Sequence, residues 1–187
     1  MTHPKADLSS TCAPVGLDAN GNIDPTLPDV VRRFLLAGAP IEPIRLDRLG
    51  QWWHRGEPFE NRKLIDLFSR SVQRTEGGTW ILHIEPYTYP IAVDDTGYFV
   101  HRIELEALGQ ELRAVTMHLT DRTVEALDPS TLHYDDSLRC AIKGGRFEAR
   151  FLRTPYYQLA DFIEVDRLGF KLTIAGSTYR IPPQEDP

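Results

Sequence analysis

Cysteine is scarce in this sequence: Cys12 and Cys140 are the two thiols among 187 residues. Cys12 sits in a polar N-terminal stretch and Cys140 in a strand-like run, so neither a disulfide scaffold nor a cysteine metal knuckle is available. Two free thiols in a reducing compartment are expected. Long apolar runs are also missing. None approaches the ~18 residues that span a bilayer, and "MTHPKADLSSTCAP" has no apolar signal core. A soluble, cytoplasmic protein without a membrane partner is expected. Positive charge is in deficit, with 21 Lys and Arg against 27 Asp and Glu for a net −6. Non-specific nucleic-acid binding needs a basic surface and is disfavoured. The nucleophile elbow "GxSxG", the dinucleotide pattern "GxGxxG" and the P-loop are absent. These absences point away from an enzyme and toward a binding module with no cofactor.

What is present suffices for a core. Hydrophobic residues make up 41% and aromatics 10% of the chain, enough for one large domain or two small ones. Residues 1–27 are rich in Ser, Thr, Pro, Gly and Asp and read as a flexible segment. "LPDVVRRFLLAG" reads as a short helix capped by Asp29, with Val30, Phe34 and Ala37 on one face and Gly38 as terminator. "APIEP" is linker-like. "PIRLDRLGQWWHR" reads as a β-hairpin turning at Gly50. Trp52 and Trp53 are neighbours on its return strand, so they point to opposite faces. One should pack beneath the following helix, and the other is spare aromatic surface. Gly56 and Pro58 break the strand, Asn61 caps a helix, and apolar spacing carries that helix to about Arg74.

Downstream, "TWILHIE" and "YPIAV" read as strands. "VHRIELEA" and "LRAVTMHL" form a hairpin around Gly109-Gln110, of type II′. "LDPSTLHYDD" reads as irregular. "CAIK" and "RFEARF" form a hairpin around Gly144-Gly145. "RTPYYQLADFI" is a helix capped by Thr154 with Pro155 in its first turn, and "FKLTIAGSTYRI" supplies two closing strands. Trp80 to Ile91 and Phe170 to Ile181 span equal distances inside similarly ordered stretches, each preceded by a helix with a nearby proline. The expected fold is therefore α+β: two similar halves, residues 28–98 and 99–182, with 183–187 as a tail. Each half is an antiparallel sheet or partial barrel with one packed helix, an arrangement suggesting internal duplication.

Three features bear on chemistry. Asp95-Thr96-Gly97 matches an aspartic-protease triplet, but a single lobe needs a second carboxylate and Tyr98 departs from that pattern; an ordinary turn is the plainer alternative. If Gly109-Gln110 is a two-residue turn, residues summing to 219 face each other, so His101 opposes His118 and Glu106 opposes Arg113. Facing imidazoles could ligate a metal, with a third ligand from His83, Glu85 or Asp95; a structural pair is the alternative. Arg146, Glu148 and Arg150 share one face of "RFEARF". With Arg153, Tyr156 and Tyr157 at the adjacent helix start they suit an anion, phosphate meeting guanidinium and a base stacking on tyrosine. A solvated strand face is the alternative.

"GQWWHRGEPFENRKLIDLFSRSV", "GGTWILHI", "IAVDD" and "GRFEARFLRTPYYQL" together resemble a bacterial family known as domain of unknown function 1285, over about Pro43 to Ile181. The resemblance implies a duplicated α+β fold whose C-terminal half is superficially pleckstrin-homology-like. It also implies a nucleotide-like ligand between the halves and a role in signalling, with no catalytic residue. Trp53, Gly56, Arg62, Asp94, Asp95, Arg150, Arg153 and Tyr157 fall on its motif positions. "IEPYT" and Thr96-Gly97-Tyr98 depart from it, which implies a different ligand if those segments line the site. The expected ligand-binding set is Trp53, His54, Arg62, Asp94, Asp95, Arg150, Arg153 and Tyr157, with indole and guanidinium groups converging on one hollow. Arg150→Ala is expected to abolish binding and leave folding intact. A protein-interaction domain and a metal-assisted hydrolase using His101 and His118 are the alternatives.

Overall fold

The computed structural model describes residues 15–38, 42–109 and 111–183. Cys12 with the rest of 1–14, residues 39–41 of the linker, Gln110 and residues 184–187 of the tail lie outside them.

Residues 15–27 differ from the flexible segment expected. Asp24 is fully buried and its carboxylate accepts from Thr26 N at 2.8 Å, Thr26 Oγ1 at 2.5 Å and Thr75 Oγ1. Thr79 Oγ1 donates to Leu17 O at 3.1 Å. Too polar to order itself, the segment is ordered by a turn some fifty residues away. Helix α1 (Asp29–Leu36) follows. Asp29 is its first helical residue rather than its cap, since Pro28 takes the cap position without a side-chain hydrogen bond. Val30 and Phe34 face outward.

Strands β1 (Arg45–Leu46) and β2 (Trp52–His54) form the expected hairpin, Leu46 opposite Trp52 and Arg45 opposite Trp53. Pro58 does not break the strand but lies in β3 (Glu57–Pro58), at the edge of the sheet where a missing N–H costs nothing. Asn61 caps α2 (Arg62–Ser71), accepting from Lys63 N at 3.0 Å and Leu64 N at 3.3 Å. The helix stops three residues before the expected Arg74 because Val72–Arg74 is strand β4, paired with β5 (Trp80–Ile84). Strand β6 (Tyr87–Pro90) completes this meander. "YPIAV" is not one strand: the chain leaves the meander at Ile91, and β7 (Ala92–Val93) pairs in parallel with β1.

The second part contains β8 (Tyr98–Leu108), β9 (Glu111–Leu119), β10 (Val124–Ala126), a 3-10 turn (Pro129–Thr131), β11 (His133–Tyr134), β12 (Leu138–Ile142) and β13 (Phe147–Phe151). They form a six-stranded sheet in the order β10-β9-β8-β13-β12-β11. The sheets are mainly antiparallel, as expected, with two parallel junctions, β1 with β7 and β8 with β13. Parallel partners need long crossovers and leave no local trace in the sequence. Helix α3 (Arg153–Ala160) has Leu152 at its cap without a side-chain bond, so Thr154 is not the cap. Strands β14 (Ile163–Asp166), β15 (Gly169–Ile174) and β16 (Ser177–Ile181) then form a second antiparallel meander.

The fold is α+β with open sheets and no closed barrel among the described residues. A helix followed by a three-stranded meander occurs twice, as α2-β4-β5-β6 and α3-β14-β15-β16. Ile91 N donates to Trp80 O at 3.0 Å, and Phe170 stands opposite Ile181. The likeness ends with these elements, since a four-stranded mixed sheet precedes the first unit and the six-stranded sheet the second.

Two hydrophobic clusters fill the molecule. One gathers Leu46, Trp52, Phe68, Val72, Leu82 and Ile91; the other centres on Val100, Met117, Leu119, Cys140, Phe151 and Leu172. Strand β8 serves both, because alternation sends Phe99 into the first cluster and Tyr98 and Val100 into the second. Trp52 lies beneath α2, its indole N–H donating to Ser69 Oγ at 3.1 Å and its ring meeting Phe68 edge-on at 5.4 Å. Trp53 points the other way, half-buried, and donates to Asp47 Oδ2 at 2.7 Å. Cys140 is a buried free thiol whose pKa is pushed up to about 12 by burial, which leaves it inert as a nucleophile.

Candidate functional site

Strand β13 alternates as expected, with Ala149 and Phe151 in the core. Its other face is not all solvated. Arg150 is buried, and the register of the β12–β13 hairpin places Arg139 directly opposite it. Two guanidinium groups side by side repel unless anions intervene. Asp95 supplies one, accepting from Arg139 Nη1 at 2.7 Å, Arg139 Nη2 at 2.9 Å and Arg150 Nη1 at 2.9 Å. Asp136 takes two bonds from Arg150, at 2.9 and 3.0 Å, and Asp135 takes one from Arg139 Nε at 2.7 Å. The hydrogen bonds from Arg150 hold the Asp136 carboxyl down at about 2 against the burial that would raise it. Burial alone would lower both arginine pKa values, but the carboxylates outweigh it and raise them.

Asp95 comes from the segment joining β7 to β8, so the network fastens that segment to the six-stranded sheet. Thr96 Oγ1 adds a bond to Glu148 O at 2.7 Å. A carboxylate committed to two guanidinium groups is no general base, so Asp95-Thr96-Gly97 is a structural turn.

A cleft of about 370 Å³ opens beside this network. The β1–β2 turn contributes Arg48 and Leu49, the β11–β12 loop contributes Asp136, β13 contributes Arg150, and α3 contributes Arg153, Tyr156 and Tyr157. Walls from both parts of the chain thus meet here. Arg48 lies 3.4 Å from Asp136. Arg153 is exposed, packs its guanidinium 5.8 Å from the Tyr157 ring centre, and has no carboxylate partner among the described residues. The start of α3 has no side-chain cap, so its first N–H groups are available to an anion.

Of the residues singled out from sequence, Asp95 and Arg150 touch, and Arg150, Arg153 and Tyr157 line one cleft. Trp53, His54, Arg62 and Asp94 do not line it. Asp94 pairs with Arg45 on the four-stranded sheet. His54 stacks on Phe59 at 6.3 Å, on the core side of β2 opposite to Trp53. Arg62 stands exposed at the start of α2. The expected convergence of indole and guanidinium groups is therefore corrected: arginines and tyrosines meet, without tryptophan. The structure gives Arg150→Ala a cost in folding as well, since its loss would take one of three guanidinium hydrogen bonds from Asp95 and two from Asp136.

Arg48, Arg139, Asp135 and Asp136 were missed. A signal for Arg139 existed: pairing residues about Gly144-Gly145 puts Arg139 opposite Arg150, as observed. The same arithmetic failed at Gly109-Gln110 because β9 carries an extra residue, Arg113, between the partners of Glu106 and Ala107, and β8 carries one, His101, between Val100 and Arg102. His118 consequently faces Arg102, and Glu106 faces Ala114 instead of Arg113. Among the described residues no group of three or more His, Cys, Asp or Glu side chains is placed to hold a metal. No helix among them is long and apolar enough to cross a membrane.

No protein-family model and no curated protein matches the chain. Two solved structures do. A DUF1285 family protein from Silicibacter pomeroyi DSS-3 is similar at 21% identity and a TM-score of 0.57, over 74% of this chain and 78% of that one. A DUF1285 family protein from Shewanella baltica OS155 is similar at 17% identity and a TM-score of 0.48, over 65% and 92% respectively. The chain has a DUF1285-like fold.

Proposed function

Proceeding from that DUF1285-like fold, we propose that the protein is a non-enzymatic module binding a small anionic, nucleotide-like ligand in the cleft between its two parts, and that it serves in cytoplasmic signalling. Arg153 carries this reading. It is a guanidinium without a carboxylate partner among the described residues, held over a tyrosine ring at the mouth of a cleft floored by Arg150. Arg153, Arg48 and the uncapped start of α3 would meet phosphate, and Tyr157 would offer its face to a base. Arg150, held in place by Asp95 and Asp136, acts here as the floor of the cleft. Its volume falls within the roughly 300–1,000 Å³ typical of small-molecule pockets.

Calorimetric titration with adenosine monophosphate and adenosine diphosphate tests this. Arg153→Ala should weaken binding roughly tenfold and leave unfolding unchanged. Unaltered affinity, or no binding by the parent protein, overturns the proposal. A second reading, a protein-interaction domain, is favoured by a different observation: Val165, Leu168 and Phe170 are 70%, 81% and 45% exposed on the second meander. The hydrolase reading has no cluster of ligands among the described residues to support it.

A further inference from the structure

We infer that a second cleft, at the other end of the buried ion network, is a site for a single phosphate-class oxoanion. The network has two ends. Arg150 and Asp136 line the cleft described above, while Asp95 and Arg139 line another of about 270 Å³ together with Arg74, Trp80, Arg146 and Phe147. Nothing in the ligand reading above requires this second hollow.

Two guanidinium groups stand ready in it. The Arg74 guanidinium carbon lies 5.4 Å from the Trp80 ring centre, and that of Arg146 lies 5.6 Å from the Phe147 ring centre. The two rings are themselves neighbours, 6.3 Å apart and tilted at 37°. Arg74 spends its Nε on Gly78 O at 2.9 Å, which leaves its terminal nitrogens. Among the described residues neither Arg74 nor Arg146 has a carboxylate partner. Stacking on aromatic faces fixes both side chains in advance, so less rotamer freedom is lost when an anion arrives.

Guanidinium groups outnumber carboxylates around the hollow: Arg74, Arg139 and Arg146 stand against Asp95, already shared by Arg139 and Arg150, and the half-exposed Glu148. Trp80 is seated by the absence of a side chain at Gly97, where a Cβ would lie 2.6 Å from the indole Cζ3. The hollow is smaller than the roughly 300–1,000 Å³ of ordinary small-molecule pockets. A single tetrahedral group held between two forks suits it better than a whole nucleotide.

The test is a titration of the 15N-labelled full chain with inorganic phosphate, against chloride at equal ionic strength, read at the Trp80 indole N–H and the Arg146 amide. Saturable shifts with phosphate alone are expected. They should weaken roughly tenfold in Arg146→Ala and persist in Arg153→Ala. Phosphate-independent shifts, shifts unaffected by Arg146→Ala, or shifts lost in Arg153→Ala would overturn the assignment. O-phosphoserine in a parallel titration separates the sources: tighter binding than inorganic phosphate marks a phosphoryl group on a larger molecule, and weaker binding marks the free ion. Arg153 lines only the first cleft and Arg146 only the second, so either reading can fail alone.

Discussion

Asp94 and Asp95 are adjacent carboxylates, both bound to arginine, yet their removal should carry very different costs. Asp95→Ala deletes the acceptor of three charge-assisted hydrogen bonds, two from Arg139 and one from Arg150. The three side chains are 15%, 8% and 9% exposed. Removing one partner from a buried ion pair costs about 3–5 kcal/mol. Asp135 and Asp136 remain to satisfy part of each guanidinium, so the lower end, about 3 kcal/mol, is expected. At about 2–4 °C per kcal/mol for a chain of this size, the melting temperature should fall by about 6–12 °C. Asp94→Ala removes a pair whose side chains are 37% and 27% exposed. Such a pair contributes about 0–1 kcal/mol and less at high salt. Urea and thermal unfolding of both variants at neutral pH, followed by circular dichroism, gives the comparison. Equal losses for the two, or less than about 1 kcal/mol for Asp95→Ala, would refute the view that the Asp95 network locks the β7–β8 segment to the sheet.

Acid should destabilise the fold through particular carboxylates. Asp136, lowered from 3.8 to about 2 chiefly by Arg150, and Asp24, brought to about 2 by hydrogen bonds from Thr26 and Thr75 that outweigh its burial, both titrate below the unfolded chain. Their contribution is complete above about pH 5 and is lost as pH falls toward 2, so Asp136→Asn should flatten the decline in urea midpoint over that window. An unchanged slope contradicts this assignment. The paired tryptophans give a further contrast. Trp52→Ala, at a position 1% exposed, should cost about 3–5 kcal/mol, and Trp53→Ala about 1 kcal/mol through its lost bond to Asp47. Similar urea midpoints for the two variants would show that the faces are wrongly assigned.

What the sequence determined by itself was local. Alternation along the strands, the Gly50 and Gly144-Gly145 hairpins, the Asn61 cap and the opposite facing of Trp52 and Trp53 all follow from periods of two or 3.6 residues and from turn chemistry within a few positions. The anion-suited cluster at "RFEARFLRTPYYQL" was half legible for the same reason, since its residues share one strand end and one helix start. Tertiary structure decided the rest. Asp95 finds Arg139 and Arg150 from 44 and 55 residues away, across a parallel β8–β13 junction that no local pattern announces. That long-range closure turns Arg150 from a solvent-facing grip into buried framework and separates Arg146 from Arg153 into two clefts. A β-bulge at Arg113, invisible in the alternation, moved His118 off His101, and a second left His101 without a partner across the ladder. Side-chain direction is set by backbone geometry a few residues long, but the partner a charge meets is set by which distant strands the whole chain brings side by side.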